Sequence, residues 1–302
     1  MSNRINWGRT LLIAIPFIWL LVLFLLPFAS VIKMSLSDMA TAKPPYVPVY
    51  DSEAGLLGIW QLISKFDLEN YIWLVEDDLY WRSYLSSLKI ALISTIFTLL
   101  IGFPIAYGMA KTPSQWRATL VMLIILPFWT SFLIRVYAWI GILKQQGLLN
   151  NFLIYIGAID QPLIILNTDI AVYIGIVYSY LPFMVLPLYA TLEKLDYSLL
   201  EAALDLGCSR LKTFWVIIVP LAMPGIYAGC FLVFIPAMGE FVIPDLLGGS
   251  STLMIGKTLW GEFFNNRDWP VSSAVAVVLL LLLIVPIVLF QKMQERQLKG
   301  ES

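Results

Sequence analysis

The sequence predicts an all-α membrane protein of six transmembrane helices with both termini in the cytoplasm. Three observations carry that reading. Hydrophobic residues fill 60% of the 302 positions and charged residues only 13%, and mean hydropathy is +0.83, a composition outside that of soluble domains. Six apolar runs, near 11–32, 86–110, 117–140, 169–192, 216–241 and 271–291, are each long enough to cross about 30 Å of hydrocarbon. Lysine and arginine also concentrate on one side. With the N-terminus inside, the short cytoplasmic segments hold Arg4, Arg9, Lys111, Arg117, Lys194, Arg210, Lys212, Lys292, Arg296 and Lys299, ten of the nineteen. The opposite side carries the acidic stretch 33–85, with Asp38, Asp51, Glu53, Asp67, Glu69, Glu76, Asp77 and Asp78. That is the asymmetry of the positive-inside rule.

The same counts narrow the chemistry. The chain has no histidine and a net charge of −1, so histidine catalysis is excluded and neither a nucleic-acid partner nor a metal site is expected. Cys208 and Cys230 fall in a loop and a span and make no disulfide framework.

Taken in order, residues 1–35 are a basic tail and the first helix, whose apolar stretch is too long for a signal peptide and is expected to be retained. Residues 36–85, with Pro44, Pro45 and Pro48, form an extracytoplasmic loop with a short helix around 67–76. Residues 86–291 are a five-helix core, and 292–302 a cytoplasmic tail. Lys111-Thr112-Pro113-Ser114 is a tight turn between the second and third spans. Segment 141–168 places Leu148, Leu149, Phe152, Leu153 and Ile156 at helical spacing, the pattern of an amphipathic segment along the outer surface.

The most informative stretch is the polar segment 193–215 between the fourth and fifth spans. Ser198 and Glu201 have the spacing of a capping box, and Gly207 suits the left-handed turn that ends a helix. The result is a rod of about nine residues, roughly 13 Å, too short to cross a bilayer. Glu201-Ala202-Ala203, three residues, Gly207, nine residues, then Ile217-Ile218-Val219-Pro220 resembles the EAA loop of ABC-importer permeases, with Val219 where leucine is usual. The resemblance implies the type I ABC-importer transmembrane fold and a loop, here Glu201, Ala202, Ala203, Asp205 and Gly207, that docks on a separate ATPase and couples its closure to the membrane helices. Gly256-Lys257-Thr258 looks like the end of a phosphate-binding loop, but residue 251 is serine rather than the required glycine.

Ionisable residues in membrane spans are costly and face protein or water. Glu240 stands about 21 residues past Val219, near the outer end of the fifth span, on one helical face with Gly229, Val233 and Pro236. Gly225 and Gly229 let helices approach closely. Arg135, near the outer end of the third span, is the natural structural ion-pair partner for Glu240. Trp129, Leu133, Val136 and Tyr137 offer an aromatic stripe beside it, and a cation held between carboxylate and ring faces would gain about 0.5–2 kcal/mol from the rings. Asp245, Glu262 and Asp268 are further acidic candidates, Asp268 also a cap for the last span. The candidate substrate pathway is thus Glu240, Trp129, Tyr137, Asp245 and Asp268.

The stretches 127–139, 234–244 and 266–270, with Pro127-Phe128-Trp129-Thr130-Ser131, Met238-Gly239-Glu240-Phe241 and Asn266-Arg267-Asp268-Trp269-Pro270, resemble the polyamine-importer permeases, most of all the putrescine branch. That resemblance implies a non-enzymatic inner-membrane subunit forming half of a translocation pathway. Its implied partners are a second homologous permease, two copies of an ABC ATPase and an extracytoplasmic polyamine-binding protein. ATP and Mg bind the ATPase, and this chain holds no cofactor. Spermidine or another small cationic solute is the alternative substrate. A secondary transporter would show inverted repeats and midplane ionisable residues, neither of which is evident, and a scaffold or insertase would not need the 193–215 loop.

Overall fold

The computed structural model describes residues 7–49, 58, 60, 62–196 and 198–298. Arg4, Asp51, Glu53 and Lys299, used in the charge argument, lie outside them. Among the described residues, five helices are long and apolar enough to cross a membrane. A sixth crossing exists only if Ser114–Trp129 and Phe132–Tyr155, which meet at 88°, count as one broken span. The chain divides into two units, Met1–Trp81 with Leu259–Leu282, and Arg82–Thr258 with Leu283–Ser302.

The first unit begins with α1 (Trp7–Leu20) and α2 (Leu26–Ser35), joined by a π-turn at Leu21–Leu25 into an apolar rod exposed along nearly its whole length. A short antiparallel hairpin follows, β1 (Asp38–Met39) against β2 (Tyr46–Val47), with Asp38 opposite Val47. The expected short helix is α3 (Glu69–Glu76). It is tied to the end of α2 through Asn70, whose Nδ2 donates to the carbonyls of Ser35 (3.1 Å) and Ser37 (2.8 Å). Glu262, buried in this unit, accepts from Tyr80 Oη at 3.2 Å and Asn266 Nδ2 at 2.8 Å, which satisfies a carboxylate that could not otherwise be buried. Residues 261–266 form a π-turn, and the last helix is α14 (Trp269–Leu298).

The second unit is built on α4 (Asp78–Lys111) from Arg82 onward, α8 (Asp169–Leu192) and α11 (Val219–Met238). Their core interleaves Phe103, Ala106 and Met109 with Met184, Val185 and Leu188 and with Ile218, Ala222 and Val233. Helices α8 and α11 approach closely because Gly225 and Gly229 of α11 face α8. A Cβ at Gly229 would sit 2.6 Å from Met184 Sδ, and one at Gly225 2.6 Å from Thr191 Oγ1. A small-residue face of this kind lets membrane helices gain contact where no hydrophobic drive distinguishes lipid from protein. Below α11 the span continues through α10 (Arg210–Thr213) and a π-turn at Phe214–Ile218. That turn stands just ahead of Pro220, whose ring cannot sit against the carbonyl four residues back.

The third apolar run, expected near 117–140, is not one straight helix. Here α5 (Ser114–Ile125) passes into a 3₁₀ turn at Leu126–Trp129, Thr130 is extended with ψ 150°, and α6 (Phe132–Leu143) starts in a new direction. Pro127 supplies no N–H and crowds the preceding turn, and Thr130 Oγ1 closes the break by donating to the Pro127 carbonyl at 2.8 Å. Within segment 141–168 the residues at helical spacing form α7 (Leu148–Tyr155), and the chain after it is held as a loop by buried Asn150, which exchanges two hydrogen bonds of 2.9 Å with the backbone of Leu163. Beyond α11 the chain folds back through α12 (Val242–Leu246) and α13 (Ile255–Trp260).

Candidate functional site

The segment between α8 and α11 carries α9 (Ser198–Asp205). Its N-terminal cap is not the expected Ser198–Glu201 box. Asp196 Oδ1 accepts from the Ser198 N–H at 3.0 Å, so Asp196 stands at the cap and Ser198 falls inside the first turn. That hydrogen bond also holds the Asp196 carboxyl below its ordinary value of 3.8. The C-terminal end matches expectation. Gly207 has φ +82°, its N–H reaches the Leu204 carbonyl at 2.9 Å, and the Cys208 N–H reaches the Ala203 carbonyl at 3.0 Å. This pair of bonds is the Schellman arrangement, which a residue with a Cβ could adopt only under strain.

Helix α9 rests on the bundle through Ala203, which is 7% exposed, and through Leu200, packed against the core. Glu201, Ala202, Asp205 and Gly207 are exposed, and so are Leu199, Leu204 and Leu206, the last at 85%. Apolar side chains standing beside carboxylates in a polar segment form a surface suited to a protein partner. Reasoning from sequence missed the strut behind it. Arg117 Nη1 meets Glu193 Oε1 at 3.0 Å while Nη2 and Nε donate to the carbonyls of Ala110 (3.0 Å) and Thr112 (2.8 Å). The turn after α4 is thereby fastened to the start of the 193–215 segment.

The second candidate lies where the third span breaks. A cavity of about 440 Å³ is lined by Phe128, Phe132 and Arg135 from the break, Ser179, Tyr180 and Phe183 from the middle of α8, and Pro236 and 239–242 from the end of α11. Glu240 is 7% exposed. Its burial does not come from a helical face shared with Gly229, Val233 and Pro236, as the spacing suggested. The buried face runs through Gly225, Gly229, Val233 and Ala237, α11 ends at Met238, and Pro236 is exposed. Glu240 instead turns inward to cap α12. Its Oε1 accepts from the N–H groups of Phe241 (3.1 Å), Val242 (3.0 Å) and Ile243 (3.3 Å), and its Oε2 from Tyr180 Oη at 2.5 Å. A carboxylate at a helix start with several N–H donors is well stabilised.

Of the other candidates, only Arg135 joins Glu240 in this cavity, and not as an ion pair. Among the described residues the guanidinium has no carboxylate within pairing distance. It lies over the rings of Phe128 (5.2 Å) and Phe132 (5.8 Å). Trp129 and Tyr137 are 72% and 58% exposed and line no part of the cavity, because the break rotates the helix so that Val136 is buried while Leu133 faces out. Asp245 is exposed, 3.9 Å from Lys257 Nζ. Asp268, in the first unit, caps α14 through the Val271 N–H at 3.0 Å. It lines a separate cavity of about 510 Å³ with Asp38, Glu69 and Glu76. Desolvation raises the Asp268 carboxyl above 3.8 against the opposing pull of that hydrogen bond. Asp38 is raised as well, by desolvation and then by the neighbouring Asp67 charge.

The model of the family of binding-protein-dependent transport system inner membrane components matches residues 6–300. The chain belongs to this family. It is a multi-pass inner-membrane permease, a non-catalytic subunit whose ATPase is a separate chain. The spermidine/putrescine transport system permease protein PotB of Escherichia coli is 50% identical over 218 residues, covering 72% of this chain and 79% of that one. The PotB of Haemophilus influenzae is 41% identical over 287 residues, 95% of this chain and 94% of that one. A bacterial ABC transporter that imports the acidic polysaccharide alginate shares the permease's fold, with TM-score 0.69, 15% identity and 96% of each chain covered. A bacterial alginate ABC transporter in complex with alginate-pentasaccharide-bound periplasmic protein matches with the same TM-score of 0.69 at 15% identity, covering 96% of this chain and 95% of that one. The permease is therefore of the type I importer fold, and the secondary-transporter reading falls away.

Proposed function

We propose that the permease forms half of the translocation pathway of an ATP-driven polyamine importer. The observation that carries the substrate class is the 41% identity to a spermidine/putrescine permease along 95% of the chain. The cavity at the broken span fits that class, since ring faces beside a carboxylate suit an organic ammonium group. The remaining half-pathway comes from a second homologous permease. Two copies of an ABC ATPase, which bind ATP and Mg, dock on the cytoplasmic side, and an extracytoplasmic binding protein delivers the solute. Both termini and the 193–215 segment lie in the cytoplasm, in keeping with the distribution of lysine and arginine. Glu201, Ala202, Ala203, Asp205 and Gly207, with the exposed leucines of α9, form the ATPase contact. Putrescine is the substrate we favour and spermidine the alternative, because the binding protein selects between them.

The test is uptake of radiolabelled putrescine by the complete transporter with its binding protein in proteoliposomes, with unlabelled putrescine and spermidine as competitors. Saturable, ATP-dependent uptake with putrescine the stronger competitor supports the assignment. Stronger competition by spermidine moves it to the alternative, and uptake of neither refutes the substrate class.

A further inference from the structure

We propose that Arg135 is a tethered stand-in for the substrate's ammonium group. Its guanidinium holds the aromatic cavity at the broken third span, and a solute cation occupies that place only once the side chain has moved aside. The proposal rests on the polyamine reading above and adds a gating role to that site.

The contrast with Arg117 carries the argument. An arginine has five N–H donors, and Arg117 spends its donors on two backbone carbonyls and a carboxylate, as a structural arginine does. Arg135 does not. Among the described residues its buried Nε has no hydrogen-bond partner. A charge left unpaired in a membrane span is costly, so a purely structural position would be better served by an apolar residue. The groups the guanidinium does touch are the faces of Phe128 and Phe132. Phe128 packs edge-on against Phe183 at 5.2 Å, and Phe183 lies 6.0 Å from Tyr180, the donor to Glu240. Arg135 therefore sits on an aromatic wall that leads to a carboxylate, which is the environment an organic cation would seek.

Glu240 is already satisfied by three backbone N–H groups and Tyr180, so it attracts a cation without locking Arg135 in an ion pair. Two like charges sharing a cavity of about 440 Å³ repel each other, which sets occupancy by Arg135 against occupancy by solute. Arg135 stands in the first turn after the break, where a change in bend angle would carry it away from the rings.

The test is equilibrium binding of radiolabelled spermidine to the assembled, nucleotide-free transporter without its binding protein, alongside uptake by the same preparations. Arg135→Met keeps volume and aromatic packing while removing the charge, and should tighten binding roughly tenfold, the scale of a desolvated cation–ring contact. Methylguanidinium at millimolar concentration should reverse that gain by refilling the vacated place. Arg135→Lys, which keeps the charge but not the flat stacking group, should give an intermediate gain, and stands alone as the test if Arg135→Met fails to assemble. Binding equal to or weaker than the parent in an assembled variant overturns the proposal. A parental transporter that accumulates neither polyamine overturns the substrate reading instead, and this role with it.

Discussion

At the residue scale the two caps make opposite commitments to pH. Asp196 has a carboxyl held below 3.8 by the Ser198 N–H. Its contribution is present above the unfolded value and is lost as pH falls through the folded one. Asp196→Ala should therefore lower the unfolding temperature of the complex at pH 7, with the difference closing in strong acid. Asp268 is raised by desolvation, so the fold favours its protonated form. That contribution is complete below the unfolded value and is lost as pH rises through the folded one. Asp268→Asn keeps the acceptor for Val271 without the buried charge, and should match or exceed parental thermal stability at pH 7. Asp268→Ala, which loses the cap, should fall below it by about 1 kcal/mol. Thermal unfolding across pH, followed by tryptophan fluorescence in detergent, reads both, and an Asp268→Asn variant less stable than Asp268→Ala would refute this account of the site. Gly207 was legible from sequence because only a left-handed turn needs glycine there. The true cap at Asp196 was not, since Ser198 offered an equally good pattern two residues later.

At the scale of elements the sequence located the apolar runs but not their breaks. Nothing in the neighbours of Pro127 distinguished a break from a tolerated kink. Trp129, Leu133 and Tyr137 were projected on one helical face, and the structure leaves all three exposed and outside the cavity, while Phe128, Phe132, Tyr180 and Phe183 went unnoticed. Their signal was weak: Ser179 and Tyr180 are a polar pair within an apolar span. Glu240 was read correctly as inward-facing but for the wrong reason, since it caps α12 rather than sharing the buried face of α11. Glu240→Ala removes four hydrogen bonds and should destabilise the permease by about 2 kcal/mol or more. Glu240→Gln retains an acceptor oxygen, so it should assemble like the parent yet take up polyamine several-fold more slowly. Uptake kinetics equal to the parent would reduce Glu240 to a cap. The α8–α11 contact has its own test. Gly229→Leu must displace Met184 and should prevent stable assembly, as size-exclusion chromatography would show.

At the scale of the chain, the second unit carries α9 on its exposed side, packed through Ala203 and Leu200 and flanked by the Arg117–Glu193 strut. The fold class and the short helix α9 were legible because hydropathy and helix-ending chemistry are local properties of sequence. The cavity was not, because it needs three distant segments brought together by a bend. Gly207→Pro should leave the protein in the membrane, since the span helices are untouched, but abolish ATP-dependent uptake by deforming the Schellman turn. Undiminished uptake would remove α9 from the mechanism.

The central claim is that α9 faces the cytoplasm and is worked by a separate ATPase. Replacing Cys208 and Cys230, the two native cysteines, by serine and placing a single cysteine at the exposed position 206 gives a direct readout. A membrane-impermeant thiol reagent should label it in inside-out vesicles and not in intact cells, and a bifunctional reagent should join it to the ATPase subunit. Labelling from outside the cell, or cross-linking to the extracytoplasmic binding protein in place of the ATPase, would contradict it.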